Sequence, residues 1–139
     1  MRQLDKGLEQ FPRFGECGTS LTEQPMNETD NLWEMEKSFW LDGVDFYRQH
    51  LAGDAIMVFA VPVGILQGTE IISSLEGAPR WQAVQFADPR ELRAGEAIVL
   101  AYKATGLRPD AGCYEALCSS TYVRCDGTWM LVAHQQIPL

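Results

Sequence analysis

Beyond position 81 the chain is almost entirely strand-type sequence, and this constrains the fold more than any other feature. Segments at about 81–92, 96–105, 112–125 and 128–137 are rich in β-branched and aromatic residues, with Gly, Pro and Asp turn signals between them. Asp126-Gly127 is a strong two-residue hairpin signal, because both positions of such a turn take positive φ. Long strands joined by short turns form an antiparallel run, and such a sheet needs something to cover at least one face.

The cover is a helix predicted over about 31–51. Asp30 or Asn31 serves as its N-cap, with acidic residues in the first turn suiting the positive helix end. At about 100° per residue, Leu32, Trp33, Met35, Phe39, Trp40, Phe46, Tyr47 and Leu51 fall on one broad arc, with Glu34, Lys37, Asp45 and Arg48 opposite. Glu36, Gly43 and His50 lie within the apolar arc. A carboxylate there must be hydrogen-bonded, paired or protonated. Gly43 suggests close approach of a backbone or ligand, and His50 sits at the negative helix end. Gly53-Asp54 stops the helix; two short strands follow around Pro62 and Gly64, then a short helix closed by Gly77 and Pro79. The order predicts one α+β domain over 29–139, with residues 1–28 as an extension.

Counting outward from Asp126-Gly127 pairs Arg124 with Trp129, Tyr122 with Leu131, Ser120 with Ala133 and Cys118 with Gln135 on one face. The other face pairs Val123 with Met130, Thr121 with Val132, Ser119 with His134 and Leu117 with Gln136. Gln135 thus points away from His134 and Gln136. Both faces mix apolar and polar residues, so one is expected to meet the helix and the other a sheet from a second subunit.

A net charge of −8 disfavours nucleic acid and anionic membrane as partners. No stretch is apolar enough for a signal peptide or a membrane span, which predicts a cytoplasmic protein. Cys17, Cys113, Cys118 and Cys125 form no CxxC pair and no zinc-like spacing with His, so reduced, packed thiols are expected and no metal or cofactor is.

"EMEKSFW", "AGD", "IMVFAVPVGILQG" and "STYVRCDGTWMLVAHQQIP" together resemble the NTF2-like superfamily in its SnoaL-like and DUF4440-type branch, over about 31–139. The resemblance implies an NTF2-like (cystatin-like) cone, a long N-terminal helix packed on a curved, mixed but mostly antiparallel sheet that encloses a pocket, and commonly a sheet-to-sheet homodimer. Isomerases, cyclases, dehydratases and accessory binding domains share that fold, so function must come from the site. In ketosteroid isomerase a general-base Asp precedes a segment resembling Pro62-Val63-Gly64; here Val61 stands there. The two oxyanion positions fall at Phe46, beside Tyr47, and near Thr121, so that constellation is not expected to operate.

The candidate site is Glu36 with His134, and two readings of each stand. Glu36 is a buried acid or base, or a structural carboxylate held by backbone, Arg80, Arg124 or a Trp indole. His134 shuttles protons, or lies on a dimer-facing sheet. Trp40, Tyr47, Trp81, Tyr102 and Tyr122 line an aromatic ligand pocket or fill the core, with Gln135 and Gln136 at its polar end. The leading expectation is binding of a small hydrophobic or partly polar organic ligand. The alternatives are a cofactor-free isomerase, dehydratase or cyclase using Glu36, and a protein-interaction or dimerisation module.

Overall fold

The computed structural model describes residues 28–110 and 112–139. The proposed extension therefore lies, but for Glu28, outside the described residues. Helices α1 (Glu28–Leu41) and α2 (Val44–His50) lead into strands β1 (Leu51–Val58) and β2 (Ile65–Gln67) and a short helix α3 (Thr69–Leu75). Strands β3 (Ala83–Ala94), β4 (Ala97–Arg108), β5 (Gly112–Cys125) and β6 (Thr128–Pro138) complete a single curved sheet, ordered β2-β1-β6-β5-β4-β3. Only β1 and β6 run parallel among the described pairs.

Strict alternation gives β4 the most regular inward face: Ile98, Leu100, Tyr102 and Ala104 are buried and their neighbours less so. Helix α1 lays Leu32, Glu36, Phe39 and Trp40 against that inner face, at helical spacing along one stripe. Its first turn is clamped to the sheet edge by charge. Arg93 donates to Glu28 at 2.8 Å, and Arg124 bridges Glu28 and Glu96. The hydrogen bond from Arg93 holds the Glu28 carboxyl below its ordinary range; burial opposes it, and the Arg124 and Arg93 charges add to the lowering.

The single helix expected over 31–51 is broken at Asp42-Gly43. Gly43 is extended, caps α2, and has open space where a Cβ would stand, so it serves the break and admits no close neighbour. The break folds α2 back on α1, placing Phe46 and Tyr47 edge-on to Phe39 at 4.9 and 4.8 Å. Nor does Gly53-Asp54 end the helix. The chain is already extended at Leu51, which pairs with Leu131, so both residues belong to β1. His50 ends α2 with its ring tilted against Phe46 at 4.3 Å, its Nδ1 buried with no hydrogen-bond partner among the described residues.

Asp126 and Gly127 take φ of 53° and 78°, as the hairpin turn requires, and Arg124–Trp129, Val123–Met130 and Tyr122–Leu131 pair as counted from it. Then the register slips. The next pair is Thr121–Ala133, so Val132 is an extra, bulged residue, and beyond it Ser120 faces His134, Ser119 faces Gln135, Cys118 faces Gln136 and Leu117 faces Ile137. The predicted partners Ser119–His134 and Leu117–Gln136 are corrected by that one inserted residue, because a one-place slip exchanges the faces.

Among the described residues no helix is long and apolar enough to cross a membrane, and no group of three His, Cys, Asp or Glu is arranged to hold a metal ion. Cys113, Cys118 and Cys125 are free; burial pushes the Cys118 thiol up to about 12, with the Glu36 charge adding to it.

Candidate functional site

Glu36 is 1% exposed, so its two oxygens need partners from the protein. The inner face supplies three hydroxyls. Tyr122 donates to Oε1 at 2.6 Å, Ser120 donates to Oε2 at 2.5 Å, and Tyr102 also donates to Oε2. Trp40 Nε1 in turn donates to the Tyr102 oxygen at 3.1 Å. Burial first, and then the negative charge of Glu36, push both tyrosines well above their ordinary value, so they remain protonated donors. None of the partners anticipated from sequence reaches the carboxylate: Arg124 is taken by Glu28 and Glu96, and Arg80 by backbone carbonyls.

The Val132 bulge brings His134 into this network. His134 Nδ1 lies 2.7 Å from Ser120 Oγ and 3.6 Å from Glu36 Oε2, while Nε2 lies 2.8 Å from Gln136 Oε1. Gln136 Nε2 donates to the Tyr114 hydroxyl at 2.9 Å. Ser120 has one proton and stands between a carboxyl and an imidazole, and two arrangements satisfy every contact. Either Ser120 donates to an ionised Glu36 and accepts from Nδ1–H, or a protonated Glu36 donates to Ser120, which donates to Nδ1. They differ only in where the protons sit along the chain, and in both the hydroxyl bridges the two groups.

In front of the network lies a cavity of about 550 Å³ of atom-free space, its open mouth included. Phe39, Tyr47, Met57, Ile71 and Leu131 give it apolar walls, and Glu36, His134, Gln136 and Arg80 are its polar groups. Trp40 and Trp81 close one side at 5.5 Å, and Trp81 stacks on Tyr114 at 5.1 Å. Trp81 lies so close to β4 that a Cβ on Gly106 would come within 2.9 Å of its ring, which is why that inward position has no side chain.

Of the residues singled out from sequence, Glu36, His134, Trp40, Tyr47, Trp81 and Gln136 line the cavity. Tyr102 and Tyr122 stand behind Glu36 as its donors. Gln135 is corrected: strand alternation turns it to the outer face, where it bonds Ser119 at 3.1 Å. Tyr47 lines the wall with its hydroxyl proton committed to the Phe39 carbonyl at 2.5 Å; burial pushes it up to about 12, with Arg80 opposing and Glu36 reinforcing. Val61, Phe46 and Thr121 do not line the cavity. Sequence reasoning did not count Ser120 as a site residue, because its meeting with His134 depends on the bulge, and read Arg80 only as a partner for Glu36, since a loop residue has no periodicity to read.

No family profile and no curated protein matches the chain. Solved structures do match. A candidate ketosteroid isomerase from Parabacteroides distasonis superposes with a TM-score of 0.71 at 15% identity, covering 81% of this chain and 89% of that one. An NTF2-like protein from Cytophaga hutchinsonii gives 0.68 at 17%, over 82% and 100%. The association domain of C. elegans CaMKII gives 0.61 at 13%, over 78% and 90%. Identities this low speak for the backbone alone, and the helix-covered, mixed six-stranded sheet is the common element: the chain has the NTF2-like, cystatin-like α+β fold.

Proposed function

We propose that this chain binds a small, partly apolar organic molecule in the cavity between α1 and the inner face of the sheet. The observation that carries the reading is an apolar-walled cavity ending at polar groups already held in fixed orientation, the arrangement small-molecule sites favour. The test is thermal unfolding of the wild type and of Leu75→Trp against a library of carbonyl, aromatic and lipid-like compounds. Leu75 is a half-buried wall residue, and an indole there occupies the cavity. Compounds that bind are expected to raise the wild-type midpoint and leave the variant's unchanged, by about 2.7 kcal/mol of stability at a hundredfold excess over Kd. A library that shifts neither protein, or both equally, sinks the proposal.

A second reading is supported by the Glu36–Ser120–His134 hydrogen bonds: proton transfer to or from the bound molecule, as in an isomerisation, dehydration or cyclisation, with His134 facing the ligand. Incubating each bound compound in D2O and following it by NMR decides it, since such chemistry either exchanges a carbon-bound hydrogen for deuterium or converts the compound, and simple binding does neither.

We also propose a cytoplasmic homodimer of the SnoaL-like or DUF4440-type branch, joined through the outer sheet face. Free thiols suit a reducing compartment. Ile56, Val58, Leu117 and Ile137 are 38–58% exposed on neighbouring strands of that face, an apolar patch that suits a second copy better than water. Sedimentation velocity is expected to give the dimer mass, and a monomer at micromolar concentration excludes it.

A further inference from the structure

We propose that the cavity takes a monoanionic organic acid, whose carboxylate is held by Arg80; the inference rests on the cavity being a binding site. Arg80 follows α3 in the loop before β3, half-buried, and lines the cavity beside Trp81. Its Nε donates to the Asp42 carbonyl at 2.8 Å. Its Nη2 donates to the carbonyls of Phe39 and Trp40 at 2.6 and 2.8 Å and to the Tyr47 hydroxyl at 3.3 Å. Among the described residues no hydrogen bond uses Nη1, so two N–H donors are left over.

The charge is left over as well. Among the described residues Arg48, Arg90, Arg93, Arg108 and Arg124 each reach a carboxylate within 4.0 Å, and Arg80 does not. The chain has 19 acidic residues to 11 lysines and arginines, so acidic partners are plentiful. Carbonyl dipoles fix the direction of a guanidinium without cancelling its charge. The fork is therefore preorganised, with one edge unused, and a carboxylate matches that edge in shape and sign.

The surroundings narrow the class further. The flat faces of Trp40 and Trp81 and the walls of Phe39 and Ile71 suit an aryl or alkyl body. Glu36 shares the cavity, and Arg80 is the one Lys or Arg among its lining residues, so a dianion such as a phosphate monoester meets too little positive charge. A carboxylate carries one charge for one cation.

Isothermal titration of the wild type with benzoates and phenylalkanoates, each beside its primary amide and a matched phosphate monoester, tests this. Acids are expected to bind at least about tenfold tighter than their amides, the ratio a hydrogen bond to a charged group gives. In Arg80→Gln the advantage of each acid over its amide should disappear. Should that variant fail to fold, added salt on the wild type gives the same reading by weakening the acid and sparing the amide. Amides that bind as well as acids, or phosphate monoesters that bind better, overturn the proposal and leave a binding cavity. If no member of any pair binds, the cavity reading falls with it.

Discussion

Glu36→Leu is expected to lower the unfolding free energy by about 3 kcal/mol and the melting temperature by on the order of 10 °C. Leucine belongs in a core and fits a space of this size, so hydrophobicity alone predicts the opposite. The loss comes from the hydroxyls. Tyr102, Ser120 and Tyr122 all aim at this carboxylate, and each buried donor left without an acceptor costs about 1–3 kcal/mol. Burying the leucine returns only about 2 kcal/mol. Urea unfolding reads the difference directly. Tyr122→Phe is the companion measurement: it removes one donor and leaves Glu36 two hydroxyl partners, so about 1 kcal/mol is expected. A Glu36→Leu protein as stable as the wild type means that the hydroxyls pair among themselves, and that the carboxylate has no structural share.

Stability is expected to fall steeply at alkaline pH. In the unfolded chain a thiol releases its proton near 9 and tyrosines near 10. Burial, reinforced by the Glu36 charge, raises Cys118 and Tyr47 to about 12 in the folded protein and Tyr102 and Tyr122 well above their ordinary value. Between those limits the unfolded state binds fewer protons than the folded one, so raising the pH favours unfolding. The contribution of each group is complete below its unfolded value and is lost as pH climbs toward its folded value, at up to about 1.4 kcal/mol per pH unit. Four such groups consume a stability of about 5–15 kcal/mol within roughly two units above pH 10. Urea titrations at successive pH values should show a plateau to about pH 9 and then the decline, and tyrosinate absorbance should appear together with unfolding. A flat profile to pH 11, with tyrosinate forming in a folded protein, contradicts the assignment.

Both predictions concern a carboxylate that was visible in the sequence as an acidic residue on an apolar helical arc. The strands, their turns and the I′-type hairpin were legible for a similar reason, since period-two patterning and turn chemistry are local. What was not legible depends on distant parts of the chain. The helix break at Asp42-Gly43 is held by Arg80, which reaches back from beyond α3 to three carbonyls of that turn. The Val132 bulge has no local mark. Val132 is as good a strand residue as its neighbours, and the slip is set where β6 leaves the hairpin and pairs with β1, placing Met57 beside His134. Because Ser120 and His134 meet only after that slip, counting from the turn found the hairpin and missed their hydrogen bond.

The ladder irregularities have a mechanical meaning beyond pairing. Beta1 shifts register between Leu51 and Ile56, β6 at Val132, and β3 between Ala87 and Arg90, where Asp88 takes a φ of 54°. The first two lie side by side, since Leu51 and Ile56 pair with Leu131 and Ala133 on either side of Val132; the third faces Tyr102 of β4, farther along the sheet. A sheet resists bending where its ladder is continuous and yields where rungs are missing, so β1 and β6 share a crease at Val132. Leu131 and His134, on either side of that crease, both line the cavity, so a substitution at Val132 that straightened β6 would move the cavity wall without touching a residue that lines it.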